Sequence, residues 1–279
     1  MAMTAATEKF HDYRLGTVVP FVLLHVGALA AFFLPFRWQW FWLAVGLYVL
    51  RMFGITAGYH RYFSHRTYRL NRFWQFCVAF LAETSGQKGV LWWAAHHRVH
   101  HRHADHEKDI HPPSLRGFWW AHVGWVLSNE FDDYDPRLIG DYGKFSELRW
   151  LDKHYVVPPT ILAAAILLIG GPGALVWGFL VSTVVLFHAT FTINSVAHLW
   201  GTRRFATPDD SRNNFLLAVV TMGEGWHNNH HQFMYACRQG IRWWEFDPTY
   251  YALRILSWLG IARDLRDIRL SDLPEVRAA

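Results

Sequence analysis

Residues 38–65 read WQWFWLAVGLYVLRMFGITAGYHRYFSH, an apolar run that passes without a turn signal into a pair of histidines. The run is apolar from Trp38 to about Gly58, interrupted only by Arg51, and is long enough to cross a hydrocarbon core of roughly 30 Å as a helix. Arg51 is expected to snorkel its guanidinium to the membrane interface. His60 and His65 then stand just beyond the span. Their five-residue separation does not superpose on an α-helix, so the two imidazoles are expected to converge from the end of a helix rather than along it.

Outward from this stretch the apolar pattern repeats. Thr17 to Phe36 is a first run of spanning length, too long for a signal-peptide core and preceded by both acidic and basic residues. Val156 to Ile169 is a third, broken at Gly170-Gly-Pro-Gly173, and Ala174 to Val196 is a fourth. The reading is an all-α integral membrane protein, a single domain over residues 1–279, with spans near 17–36, 38–58, 155–170 and 174–196 arranged as two hairpins. Short turns within the hairpins put both termini, the segment from Tyr59 to Tyr155 and the tail after Ala197 on one side, as a helical cap. Arg61, Arg66, Arg69, Arg72, Arg98, Arg203, Arg204 and Arg212 lie near the span ends on that side against Arg37 alone in the opposite turns, which makes it cytoplasmic. Phe73 to Leu81 and Gly117 to Leu127 are too short to span and rich in aromatic residues, and are expected in the interface.

Composition agrees with an anchor carrying a polar cap: 52% of the 279 residues are hydrophobic, yet the mean hydropathy is only +0.04. The formal charge of +5 follows from arginines flanking apolar runs, and nucleic acid is not an expected partner. Cys77 and Cys237 fall in no metal-binding spacing and suggest no disulfide framework. The 18 histidines make imidazole the dominant potential ligand. They gather in three clusters at the ends of apolar segments: His60 with His65, His97 with His100 and His101, and His227 with His230 and His231. In the last two clusters, spacings of three and four place all three rings on one helical face. Burying so many imidazoles together without a metal would leave donors and acceptors unsatisfied and invite repulsion on protonation. Imidazole suits iron, zinc, copper or nickel alike, but a ligand count beyond that of a zinc hydrolase points to two metals. Two redox metals beneath a membrane domain suggest oxygen chemistry on a lipid.

The three boxes, in this order and with these gaps, resemble the membrane fatty-acid desaturases, in particular the Δ9 acyl-CoA and acyl-lipid branch (stearoyl-CoA desaturase-like). The resemblance covers roughly residues 54–264 and extends to Gly-Ile-Thr-Ala-Gly at 54–58, His65-Arg-Thr-Tyr68, Gly117-Phe, His122-Val-Gly-Trp125, Asn194-Ser-Val-Ala-His198, Gly223-Glu-Gly-Trp-His227 and Trp243-Trp-Glu-Phe-Asp247. It implies nine ligands to two irons: His60, His65, His97, His100, His101, His198, His227, His230 and His231, with Asn194 approaching one metal through a water. Zinc can take the same imidazoles after overexpression. Asp105, Asp109 and Glu224 are the implied supports of the ligand imidazoles. His96, His103, His106 and His111 match no family ligand, and His11, His25, His122, His154 and His188 are read as structural.

The implied reaction takes O₂ and two electrons and puts a cis double bond, Δ9 in the branch named, into a saturated chain lying in a narrow apolar tunnel. Gln87, Trp93 and Thr190 match positions lining the kink of that tunnel, and Tyr48, twelve residues before His60, is the candidate for its floor. With no haem or nucleotide motif in the chain, electrons are expected from a separate cytochrome b5, ferredoxin or rubredoxin type of protein. The substrate is acyl-CoA or acyl-lipid: Ala95, Asn129 and Glu130 replace basic residues that would meet the CoA phosphates, and other motif variants look closer to acyl-lipid and bacterial members, which implies a bacterial inner membrane. A membrane di-iron fatty-acyl or alkane hydroxylase shares the histidine chemistry. A metal-binding membrane transporter would need polar residues at mid-span, where only His25 and His188 stand.

Overall fold

The structure, a computed structural model, describes residues 13–269. His11 and both chain ends, assigned above to the cytoplasm, lie outside the described residues. Within them the chain is helical and forms no strand beyond isolated bridges such as Arg69 with Arg263. Among the described residues, three helices are long and apolar enough to cross a membrane: Leu15–Phe33, Trp38–Ser64 and Val157–His198. The first begins as α1 (Leu15–Ala28), which has no buried residue. Its exposed Leu23, Val26 and Leu29 make an apolar surface suited to lipid tails.

The second joins α2 (Trp38–Phe53) to a π-helix, Gly54–Ser64. His60 lies within this helix and His65 caps its end, in keeping with convergence from a helix end. The His65 N–H donates to the His60 carbonyl at 3.1 Å, the i→i+5 closure of a π-helix, and the two ring centroids lie 4.8 Å apart. Arg51 departs from expectation. It is fully buried and donates to Thr183 Oγ1 at 2.7 Å, to Ser182 Oγ, and to the Leu47 and Thr84 carbonyls. Neighbouring acceptors replace the water that snorkelling would have sought.

α3 (Arg72–Glu83) is capped by Asn71, whose Oδ1 accepts the Trp74 N–H at 2.9 Å, and packs closely on the π-helix. A Cβ on Gly54 would stand 3.0 Å from Ala82 Cα, and one on Gly58 2.8 Å from Val78 Cγ1, so these glycines permit the approach. α4 (Val90–His103) crosses the same π-helix. Asp152 of α5 (Ser146–Lys153) accepts the Leu91 and Trp92 N–H groups at 2.8 and 2.9 Å, partners those donors would otherwise lack at the start of α4. The third apolar run opens as α6 (Val157–Ala174), which is two helices meeting at a kink: Gly171 sits at φ 74°, ψ −176°, and Pro172 has no N–H to offer the ladder. The run continues through Leu175–Val181 into α7 (Ser182–Ser195) and ends in the turn Val196–His198. The sequence reading placed two spans here.

The remainder is α8 (Phe215–Val220), α9 (His227–Gln232) and α10 (Pro248–Trp258). Buried Arg61 ties them to the π-helix through Glu224 at 3.1 Å, Asp247 at 2.9 Å and the Cys237 carbonyl at 2.9 Å. His25, His188 and His122 form a hydrogen-bonded chain, at 2.9 and 3.0 Å, between α1, α7 and the turn Trp120–Gly124.

Candidate metal centre

Four elements converge on one buried space. The π-helix brings His60 and, at its end, His65; α4 brings His97, His100 and His101; the turn after α7 brings His198; α9 brings His227, His230 and His231. Their ring nitrogens sort into two groups, each with its candidate ligand atoms within 4.8 Å of one another: His60, His65, His97, His101 and His230, and then His100, His198, His227 and His231. Helical spacing explains the sorting. α4 sends its i and i+4 rings (His97, His101) to the first group and its i+3 ring to the second, while α9 sends His227 and His231 to the second and His230 to the first. The six-residue α9 is held by its two asparagines: Asn228 Oδ1 accepts the Arg204 and Phe205 N–H groups, both at 2.8 Å, and Asn229 Nδ2 donates to the Gln239 carbonyl and to Glu245, both at 3.0 Å.

Carboxylates orient the rings. Glu224 meets His60 Nδ1 at 2.5 Å, Asp109 meets His100 Nδ1 at 3.0 Å, and Asp105 meets His198 Nδ1 at 2.8 Å. The fourth acid, Asp209 against His231 Nδ1 at 2.9 Å, was missed in the sequence reading, and no signal in the sequence marks it. A carboxylate accepts, so each of these Nδ1 atoms carries the proton and Nε2 keeps its lone pair. His198 and His231 both point Nε2 at His227 Nε2, at 2.9 and 3.1 Å, and His227 has at most one proton to share between two lone pairs. In the first group His60 and His101 converge likewise on His230 Nε2, each at 3.0 Å. Lone pairs aimed at one another in a buried space are what a cation satisfies, so the donor set fits metal binding.

The electrostatics point the same way. Burial first, then neighbouring imidazoles, push His65, His97, His101, His227 and His230 well below the ordinary histidine range. His231 falls to about 4 through burial despite Asp209. Burial opposes protonation of His100 too, but Asp109, Asp105 and Asp209 outweigh it and hold that ring up. The centre thus keeps most of its imidazoles neutral, the form that ligates.

A cavity of about 390 Å³ lies beside the centre, and a smaller one of about 40 Å³ touches His60, His97, His100 and His227. Trp93, His97, Thr190 and Asn194 line both, so the cavities meet next to the imidazoles. Gln87 lines the larger one. Tyr48 lines neither; its hydroxyl donates to the Val220 carbonyl of α8. His111 is buried with its ring 4.4 Å from His100, and His96 bonds the Trp92 carbonyl at 2.9 Å.

Comparison with known proteins gives a consistent result. The sequence profile described as "Fatty acid desaturase" matches residues 36–255. An "Acyl-CoA C20 Delta5-desaturase" of Anemone leveillei is 37% identical, over 94% of this chain and 82% of its own length. An "sn-1 stearoyl-lipid 9-desaturase" of Anabaena variabilis is 34% identical over 95% and 98%. A "Palmitoyl-monogalactosyldiacylglycerol delta-7 desaturase, chloroplastic" of Arabidopsis thaliana is 35% identical over 90% and 68%.

Proposed function

The chain belongs to the fatty acid desaturase family and is a desaturase; we propose that it inserts a cis Δ9 double bond into a saturated acyl chain of a membrane glycerolipid. The observation that carries this reading is the junction of the two cavities at Trp93, His97, Thr190 and Asn194, where an apolar passage touches imidazoles of both groups. One iron is assigned to His60, His65, His97, His101 and His230, the other to His100, His198, His227 and His231 with Asn194 through a water. Bound there, the irons would supply the activation of O₂ and the oxidising power to take hydrogen from an unactivated methylene pair. The balance is two hydrogens removed from the chain, with one O₂, two electrons and two protons consumed and two waters released.

The rest is done by this chain's own residues. Glu224, Asp109, Asp105 and Asp209 keep a proton on Nδ1 of His60, His100, His198 and His231 and fix those rings. Trp93, Thr190 and Phe187 line the passage that holds one methylene pair beside the centre and keeps water out. Relatives act on both carriers by name, but the cavity mouth favours a lipid. Lys88, the one cation among the described residues lining the large cavity, is held by Asp132 at 2.8 Å, which also takes Arg14, and elsewhere on the cap Arg116 is engaged by Glu130 at 2.7 Å, so these cations are already matched by acids rather than free for CoA phosphates. Four spans with both termini and the cap in the cytoplasm are part of the same proposal, supported by the kink at Gly171 and the arginine bias. Electrons come from a separate carrier of the cytochrome b5, ferredoxin or rubredoxin type.

Expression in an auxotroph for unsaturated fatty acids, followed by lipid analysis, tests the reading. Growth and cis-Δ9 chains esterified in glycerolipids are expected. Hydroxylated chains, or double bonds only at another position, would contradict it.

A further inference from the structure

Lys88 is the one ammonium or guanidinium among the described residues that line the large cavity. It is only 7% exposed, and its backbone sits at φ 66°, in the left-handed region that a residue other than glycine occupies where its surroundings hold it. The Tyr59 hydroxyl contributes to that hold by donating to the Lys88 carbonyl at 2.7 Å. Beyond this turn the side chain reaches Asp132 Oδ1 at 2.8 Å, with Nζ 5.0 Å from the centre of the Trp92 ring. Trp92 lines the same cavity. Asp132 also pairs with Arg14, so the carboxylate keeps a cationic partner without Lys88.

An ammonium has three N–H groups. Asp132 is the one hydrogen-bond acceptor that Lys88 Nζ has among the described residues, which leaves donors for the cavity. The charge is matched, so a phosphate gains little at this point, whereas a neutral carbonyl oxygen asks only for a donor. A reacting acyl chain carries one such oxygen, at its ester, and burying it without a donor is costly. The scale agrees. Nζ stands against Trp92 in the first turn of α4, and from Val90 to His97 that helix rises about 10 Å, the span of roughly eight carbon–carbon bonds in an extended chain. A carbonyl held at Lys88 brings the middle of a long chain to the junction beside His97. We propose that Lys88 holds the ester carbonyl of the reacting chain and so sets, counting from the carboxyl end, which methylene pair meets the metal centre. The proposal rests on the desaturase reading above and adds to it the residue that fixes the position of the double bond.

The test expresses each variant of the full chain in the auxotroph, fed a polyunsaturated acid so that growth does not select for product, and locates the new double bonds by mass spectrometry of the lipids. Every variant is scored against the position found for the wild type, whichever carbon that is. Lys88→Met keeps the length and the backbone strain but has no donor. It should lower the ratio of bonds at the wild-type position to bonds one or two carbons away by about tenfold, the scale of a hydrogen bond from a charged group. Lys88→Arg, which retains donors, should restore the ratio, and Asp132→Ala should leave it unchanged. Lys88→Asn, which tolerates positive φ and is too short to replace the ammonium, applies the same test should Lys88→Met not fold; iron content and thermal unfolding report folding. Bonds confined to the wild-type position in a folded, iron-loaded Lys88→Met or Lys88→Asn would overturn the proposal. So would an Asp132→Ala that spreads the bonds as widely, because the ion pair and not the carbonyl contact would then set the position. A wild type that forms no double bond would strike down the desaturase reading along with this one.

Discussion

The proton on Nδ1 decides what each imidazole here can do. Where a carboxylate accepts a hydrogen bond from that proton, the opposite nitrogen is committed to a ligand, and four such pairs surround the centre. Asp105 and Asp109 follow the second box closely and Glu224 precedes the third by three residues, which made them legible. Asp209 lies 22 residues from the histidine it orients, and only the fold brings it there. Asp209→Asn keeps the acceptor shape but loses the charge that holds the His231 proton. Metal affinity at the second group is expected to fall roughly 10- to 100-fold, measured by chelator competition, with the first group's occupancy retained. Unchanged affinity at both groups would mean that Asp209 only shapes its loop, through Ser211 and Thr207.

Among the elements, periodicity made α4 and α9 readable as ligand helices, but not the division of their histidines between two groups, which depends on how the helices face each other. The helix end that joins His60 and His65 was legible but its π geometry was not, for a physical reason: i→i+5 closure is rare, and nothing in the spacing of His60 and His65 announces it apart from the glycines at 54 and 58 that let α3 approach. Arg51 was misread because its acceptors, Thr183 and Ser182, come from a helix more than a hundred residues away. α2 also carries a prediction. Tyr48 lies two turns before Ile55, the α2-side wall of the smaller cavity, and its hydroxyl closes against Val220. Tyr48→Ala should extend that branch and shift preference toward longer chains, each further buried methylene contributing about 0.8 kcal/mol. The chain-length profile of products checks it, and an unchanged profile in a folded, metal-loaded variant would place the floor elsewhere.

At the scale of the whole molecule, apolar runs and histidine clusters together were enough to read a helical chain with membrane-spanning segments and converging imidazoles that could hold metal. The kinked helix at Gly171 bears on how those segments cross. If the kink is the turn of a second hairpin, a cysteine introduced at residue 172 is labelled from the side opposite to one at residue 105; labelling of both from one side would exclude four spans. The account's central claim is that nine histidines hold two metals side by side. Metal analysis of the purified, iron-reconstituted chain tests it most directly, and the expected result is two irons per chain in the wild type and one in His198→Ala, where the second group alone loses a ligand. One iron or none in the wild type, or two retained with full activity in His198→Ala, would contradict it.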